Sequence, residues 1–153
     1  MTVEEIESAL GYYFSDKSLL NRALTRKTFA LEEKQQNREC EDQEIFRTLG
    51  DAVLKLVLVD KLIENGVETR GEITKQKIHL EREENLARIS LSFGIGSFIN
   101  MGIGEKKQKA NEEPYVLAET LEAVIGAIYL DGRYDECRKT IINWFESFKI
   151  DLT

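Results

Sequence analysis

Between Val116 and Leu130 the chain is dominated by apolar residues, yet it carries two glutamates, Glu119 and Glu122, one helical turn apart. Residues at i and i+3 share a helix face, so their like charges call for a cation or a proton. Asp51 repeats the pattern in LGDAVLKLVLV, an acid inside another apolar helical run. Two core helices that each present carboxylates suggest a single point of convergence, as a hard divalent cation requires.

The 153 residues suffice for one domain, residues 1–153, with a substantial core and no need of disulfides or a structural metal. Hydrophobic residues at 42% beside charged residues at 32% belong to a soluble globular chain. The longest apolar run, Ala123 to Leu130, falls far short of the roughly 20 residues that span a bilayer, so no membrane association is expected. MTVEEIESAL lacks the basic and apolar regions of a signal peptide, and a cytoplasmic location is expected. Cys40 and Cys137 have no CxxC spacing and read as free thiols. The lone histidine, His79, argues against a histidine triad or zinc site and reads as a partly buried polar residue. A net charge of −7 is unlike the basic footprint of most nucleic-acid binders. Lysines cluster only locally, at Lys75 and Lys77 and at Lys106, Lys107 and Lys109, where a solvated surface is the simpler reading.

The punctuation is helical throughout, and the predicted class is all-α. Thr2 and Glu5 form a capping box, Gly11 ends the first helix, and Asp16 can cap a second carrying Leu19, Leu20 and Leu24. From Thr28 to Asp42 no apolar stripe emerges, which leaves a helix extension or a mobile loop. Ile45, Leu49, Ala52, Val53, Leu56, Val57 and Leu62 or Ile63 recur at helical spacing and predict a long buried helix ending near Gly66. Glu72 to Ser92 reads as one further helix, and Glu105 to Pro114 as a polar, mobile loop. Two helices, roughly Tyr115 to Leu130 and Tyr134 to Phe148, close the chain. Gly94, Gly96, Gly102 and Gly104 do not make a GxGxxG fingerprint, and no strand precedes them.

EIFRTLGDAVLKLVL, from Glu44, resembles the signature helix of the ribonuclease III catalytic domain, whose pattern reads ERLEFLGDAVL. Four further segments resemble the same family in the same order: LGYYFSDKSLLNRALTRKT, GEITKQKIHLEREENLARIS, MGIGE and VLAETLEAVIGAIYLDG. The resemblance covers nearly the whole chain. It implies the family's helical endonuclease fold, a homodimer, and hydrolysis of phosphodiester bonds in double-stranded or structured RNA with Mg²⁺, for which Mn²⁺ can substitute. It places the family's metal ligands at Arg47, Asp51, Glu119 and Glu122, three of them acidic here. Asp51, Glu119 and Glu122 are thus the expected metal ligands, Asp51, Glu122 and Glu44 the expected catalytic set, and Lys75, Lys77 and Lys106 the candidate RNA contacts.

Arg47 stands where the family has a glutamate, Arg70 where it has another, and Thr48 where a phenylalanine plugs the dimer partner, a role for which Phe46 could supply apolar area. Two readings of the altered site follow. Glu44 takes over a ligand role while Arg47 turns to solvent or phosphate; or Arg47, i+3 from Glu44 and i−4 from Asp51, neutralises both without metal. Four carboxylates and one guanidinium leave a net −3, which still favours a bound cation or a raised pKa. Asp51 can alternatively pair with Lys55 at i+4, and Glu119 and Glu122 can line a solvated stripe with Gly126. Glu105 can brace a turn, and Trp144, Phe145 and Phe148 read as core or dimer packing.

The family's separate double-stranded RNA-binding domain has no room in these 153 residues, so RNA recognition is expected to rest on the dimer or on an accessory RNA-binding protein. The alternative function is a catalytically silent dimer of the same fold that binds RNA or protein as a structural module.

Overall fold

A computed structural model describes residues 2–150. Eight α-helices follow one another: α1 Val3–Leu10, α2 Lys17–Ala23, α3 Lys27–Gln35, α4 Glu44–Glu64, α5 Arg70–Leu80, α6 Glu83–Ser92, α7 Ile103–Lys107 and α8 Pro114–Ser147, with 3₁₀ turns at Ile95–Phe98 and Ala110–Glu112. Among the described residues there is no β-strand, only an isolated bridge between Thr25 and Asn100, and the class is all-α. No helix among them is long and apolar enough to cross a membrane.

Local chemistry sets the boundaries. Thr2 and Glu5 close the capping box of α1, and Gly11 ends it with φ 76°, the left-handed region that glycine enters without cost. The Asp16 carboxylate accepts from the Ser18 amide at the start of α2. α4 ends at Glu64, and Gly66 turns the chain with φ 92°.

Four expectations are revised. The polar stretch after Thr28 holds α3, which buries only Ala30 and so carries little apolar periodicity. Residues 72–92 form two helices, because Arg82 is extended (φ −61°, ψ 149°) and the Asn85 amide donates to the carbonyls of His79 and Leu80 at the end of α5. Residues 105–114 form the end of α7 and a 3₁₀ turn, anchored by buried Ala110 and by Asn111 donating to the Gly96 carbonyl at 3.0 Å. His79 is exposed, not partly buried.

The core forms where α4 and α6 pack against α8, the most extensive contacts in the molecule. α8 is kinked at Arg133 (φ 65°, ψ −169°), which divides it into the two helices that the sequence predicts. Its 114–132 arm buries Val116, Leu121, Val124, Ile125 and Ile128; its 134–147 arm buries Ile141, Trp144 and Phe145. Burying a side chain such as Phe145 contributes about 1.5–3 kcal/mol. The Trp144 indole donates to the Leu10 carbonyl at 2.7 Å, tying α1 to that arm. Cys40 and Cys137 are both free thiols. Phe46 is buried beneath the Arg22 guanidinium, 4.7 Å from the ring centroid, so it serves its own core and is not available to a partner chain.

Candidate active site

Two glycines bring the site helices together. A Cβ on Gly50 of α4 would collide with the carbonyl of Glu122, and a Cβ on Gly126 of α8 with the carbonyl of Phe46. Side-chain-free surfaces let the two backbones touch, and both glycines are buried. Asp51, next to Gly50, and Glu122, one turn before Gly126, are thereby delivered to the same place. Buried Gly126 also rules out the solvated stripe considered for Glu119 and Glu122.

The Asp51 and Glu122 carboxyl groups line one pocket close enough to share a hydrogen bond, so the pair favours a proton or a cation between its oxygens. Burial pushes the Glu122 carboxyl up to about 8, helped by that hydrogen bond and by the Asp51 charge. Burial also acts to raise Asp51, but the hydrogen bonds from Lys55 and Glu122 outweigh it and hold Asp51 below its ordinary value. The Lys55 ammonium lies 2.7 Å from Asp51 and 3.5 Å from Glu81, and the Lys77 ammonium lies 3.3 Å from Glu81. The i+4 pairing of Asp51 with Lys55 is thus present, together with the carboxylate pair.

Glu119 belongs to a second cluster. Its Oε1 accepts from Arg26 Nη1 at 3.1 Å and its Oε2 from Arg47 Nη2. Arg26 is in turn held by Glu105, 2.9 Å from Nη2, and by the Gln43 side-chain oxygen at 3.4 Å. The Thr28 hydroxyl donates to Glu105 and accepts from the Gly102 amide. Glu105 therefore does brace the turn before α7. Arg47 pairs with Glu119, not with Glu44 and Asp51 on its own helix, and its buried Nε–H has no acceptor.

A polar pocket of about 310 Å³ is lined by Glu44, Arg47, Thr48, Asp51 and Glu122. Beside it a pocket of about 200 Å³ is lined by Arg26, Lys27, Thr28, Gln43, Glu44, Arg47 and Glu105. Glu44 and Arg47 line both. A larger cavity of about 660 Å³, bounded by Lys34, Asn37, Arg38, Glu39, Cys40 and Glu41, holds none of these groups.

The oxygens of Asp51 and Glu122 are hard donors suited to a small divalent cation, and two like charges held this close gain by taking one up. Glu119 is placed differently, since both of its oxygens accept from guanidinium groups. Glu44 is exposed, with its carboxylate 3.6 Å from Lys27. Of the candidate RNA contacts, Lys75 and Lys106 are exposed on α5 and α7 outside both pockets, and Lys77 serves Glu81. Arg26, Gln43 and Glu81 escape sequence reasoning altogether. Their signal is tertiary, since Arg26 meets Glu119 from 93 positions away.

Residues 16–147 match the family described as Ribonuclease-III-like. Ribonuclease 3 of Hahella chejuensis is 33% identical over 146 residues, covering 95% of this chain, and that of Shewanella amazonensis is 35% identical over 144, covering 94%. The chain spans about six-tenths of the length of these relatives, 61% and 60%. Two solved structures of the nuclease domain of ribonuclease III from Campylobacter jejuni superpose with TM-scores of 0.86 and 0.84 at 33% and 32% identity. They cover 95% and 96% of this chain and are themselves covered to 97% and 95%; the first is described by flexibility in a region involved in dimer formation. Matched along most of its length in sequence and in backbone, the chain belongs to the ribonuclease-III-like family and has the fold of a ribonuclease III nuclease domain.

Proposed function

We propose that this chain is an endoribonuclease domain that hydrolyses phosphodiester bonds in double-stranded or structured RNA, with Mg²⁺ or Mn²⁺, as a homodimer. The observation that carries this reading is the Asp51–Glu122 carboxylate pair, set in a polar pocket at the closest approach of α4 and α8 in a chain of this family. Asp51 and Glu122 would hold the cation, with exposed Glu44 at the pocket rim as an auxiliary acid that orders water. Bound there, a hard divalent ion supplies Lewis-acid polarisation of a phosphodiester and a more acidic water. The protein's own part is to converge the two carboxylates, with Lys55 as the counter-charge of Asp51 until a cation displaces it, and to place phosphate beside Arg47. Lys75, Lys77 and Lys106 are the outlying cations toward an RNA backbone, and an accessory RNA-binding protein is a further partner under this reading.

The dimer is supported by an apolar stripe on α4. Ile45, Ala52, Leu56 and Ile63 recur at helical spacing and are exposed, Ile45 by 63% and Leu56 by 55%. An exposed stripe of that length on a central helix marks an interaction surface. A second reading, a catalytically silent module that binds RNA or protein, is favoured by one observation: a guanidinium occupies the position of a family metal ligand and takes Glu119 for itself.

A labelled RNA duplex incubated at low salt with and without Mg²⁺, beside an Asp51→Asn control, separates the two. Metal-dependent cleavage that the control lacks supports the endonuclease. Absence of cleavage by a folded dimer leaves the silent module.

A further inference from the structure

The Arg47–Glu119 pair invites a different division of labour from that of three carboxylates around metal. Resting on the reading that these pockets receive RNA, we propose that Arg47 is a fixed phosphate-binding cation of the site and that Glu119 is its positioning residue, not a metal ligand.

Consider first what Glu119 has left to give. Both carboxylate oxygens are engaged by guanidinium groups, Oε1 by Arg26 and Oε2 by Arg47. Charge-assisted bonds of this kind are about twice as strong as neutral ones, and the Glu119 side chain is only 24% exposed. Turning it toward a metal ion would break both bonds and leave two guanidinium groups without their counterion. Arg26 cannot follow the movement, because Glu105 holds its Nε and Nη2, Gln43 its Nη1, and Thr28 fixes Glu105. The cluster is braced from the α2–α3 turn, α4, α7 and α8 at once.

Consider next what Arg47 has left to offer. Anchored by Nη2, it lines both pockets, yet its Nε–H is buried and without an acceptor. A guanidinium with one N–H desolvated and unpaired in this way keeps hydrogen-bonding capacity that its Glu119 anchor does not use. Arg47 lines both pockets, and its planar guanidinium fork matches phosphate geometry where an ammonium would not. The side chain is 31% exposed, which opens it to a ligand while its anchor stays in place. Lys27 and Arg26 line the same 200 Å³ pocket, so an anion there meets three cations against Glu44 and Glu105. Among them only Arg47 also borders the pocket of the Asp51–Glu122 pair, so phosphate held on it lies next to the hard-cation donors.

The test has two arms. In the first, Mn²⁺ binding is followed by electron paramagnetic resonance on the full chain. Glu119→Gln keeps Mn²⁺ affinity within about twofold of the natural protein, while Asp51→Asn loses it. In the second, a fluorescent RNA duplex is titrated in EDTA over a range of salt. Arg47→Gln weakens binding about tenfold and makes the salt dependence shallower by about one. Arg47→Lys, which keeps charge and length, retains the slope with about threefold weaker binding. Glu119→Gln weakens RNA binding too, without changing the slope. Loss of Mn²⁺ binding in Glu119→Gln overturns the proposal while leaving the endonuclease reading intact. So does unchanged RNA binding in both Arg47 variants. Failure of the natural protein to bind RNA with or without metal overturns both.

Discussion

Gly50 of α4 lies so close to the peptide of Glu122 on α8 that a methyl group on the glycine would occupy the Glu122 carbonyl. The amide nitrogen of Gly126 is only 2.9 Å from the same position. The whole site depends on this contact, because the backbones must touch before Asp51 and Glu122 can share a hydrogen bond.

Gly50→Ala should therefore destabilise the fold by about 2 kcal/mol or more, even though alanine is the better helix former, because neither helix can retreat from a backbone collision without opening the core. Gly71→Ala on α5, where nothing lies within 4 Å of the added methyl, should instead gain about 0.5 kcal/mol. Paired urea titrations of the two variants measure the contrast, and equal behaviour would remove the glycine contact as the determinant of the crossing.

Glu122 is an acid whose pKa is raised in the fold, so the native state holds a proton that the unfolded chain releases near 4.5. The stability this confers is full below that value and is lost as pH rises toward about 8. Asp51 acts oppositely: its lowered pKa gives stability above 3.8 that is lost as pH falls. Without divalent ions, thermal unfolding should show a midpoint that declines from pH 5 to pH 8. Glu122→Gln should flatten that decline and be the more stable protein at the alkaline end.

Lys55 competes with any cation for Asp51, which it meets at 2.7 Å. Lys55→Met should tighten Mn²⁺ binding about fivefold, a modest gain because the lysine is 41% exposed. Isothermal titration calorimetry of the variant against the natural protein decides this; weaker binding would mean that the lysine supports the metal site.

Leu56 and Ile45 lie on the uncovered face of α4. Leu56→Lys should convert a dimer to monomer at micromolar concentration while changing monomer stability by no more than about 0.5 kcal/mol. Sedimentation equilibrium reads the first effect and urea unfolding of the monomeric variant the second. A variant that stays dimeric would place the interface on another surface.

Local rules written into neighbouring residues were legible without coordinates. The capping box at Thr2 and Glu5, the Gly11 stop, the cap at Asp16, the extent of α4, the division of α8 near Arg133 and the i+4 pairing of Asp51 with Lys55 all act within one or two turns of chain. Which face of α4 is buried was not legible: Ile45, Ala52, Leu56 and Ile63, expected inside, are exposed, while Phe46, Leu54 and Leu58 are buried. α3 was not legible because it buries a single alanine and is held by partners distant in sequence. The break between α5 and α6 was hidden because Arg82 and Asn85 are ordinary helix residues until a side-chain amide caps the preceding carbonyls.

At the site the sequence by itself determined which helices carry carboxylates, that Arg47 stands among them, and that their charge needs compensation. Only the tertiary structure decided which charge meets which. Four acids and several cations near one point admit many pairings of similar energy, and the choice falls to backbone proximity. Gly50 against Glu122 makes Asp51 the partner of Glu122, while the turn carrying Arg26 sets that guanidinium on one oxygen of Glu119 and leaves the other to Arg47.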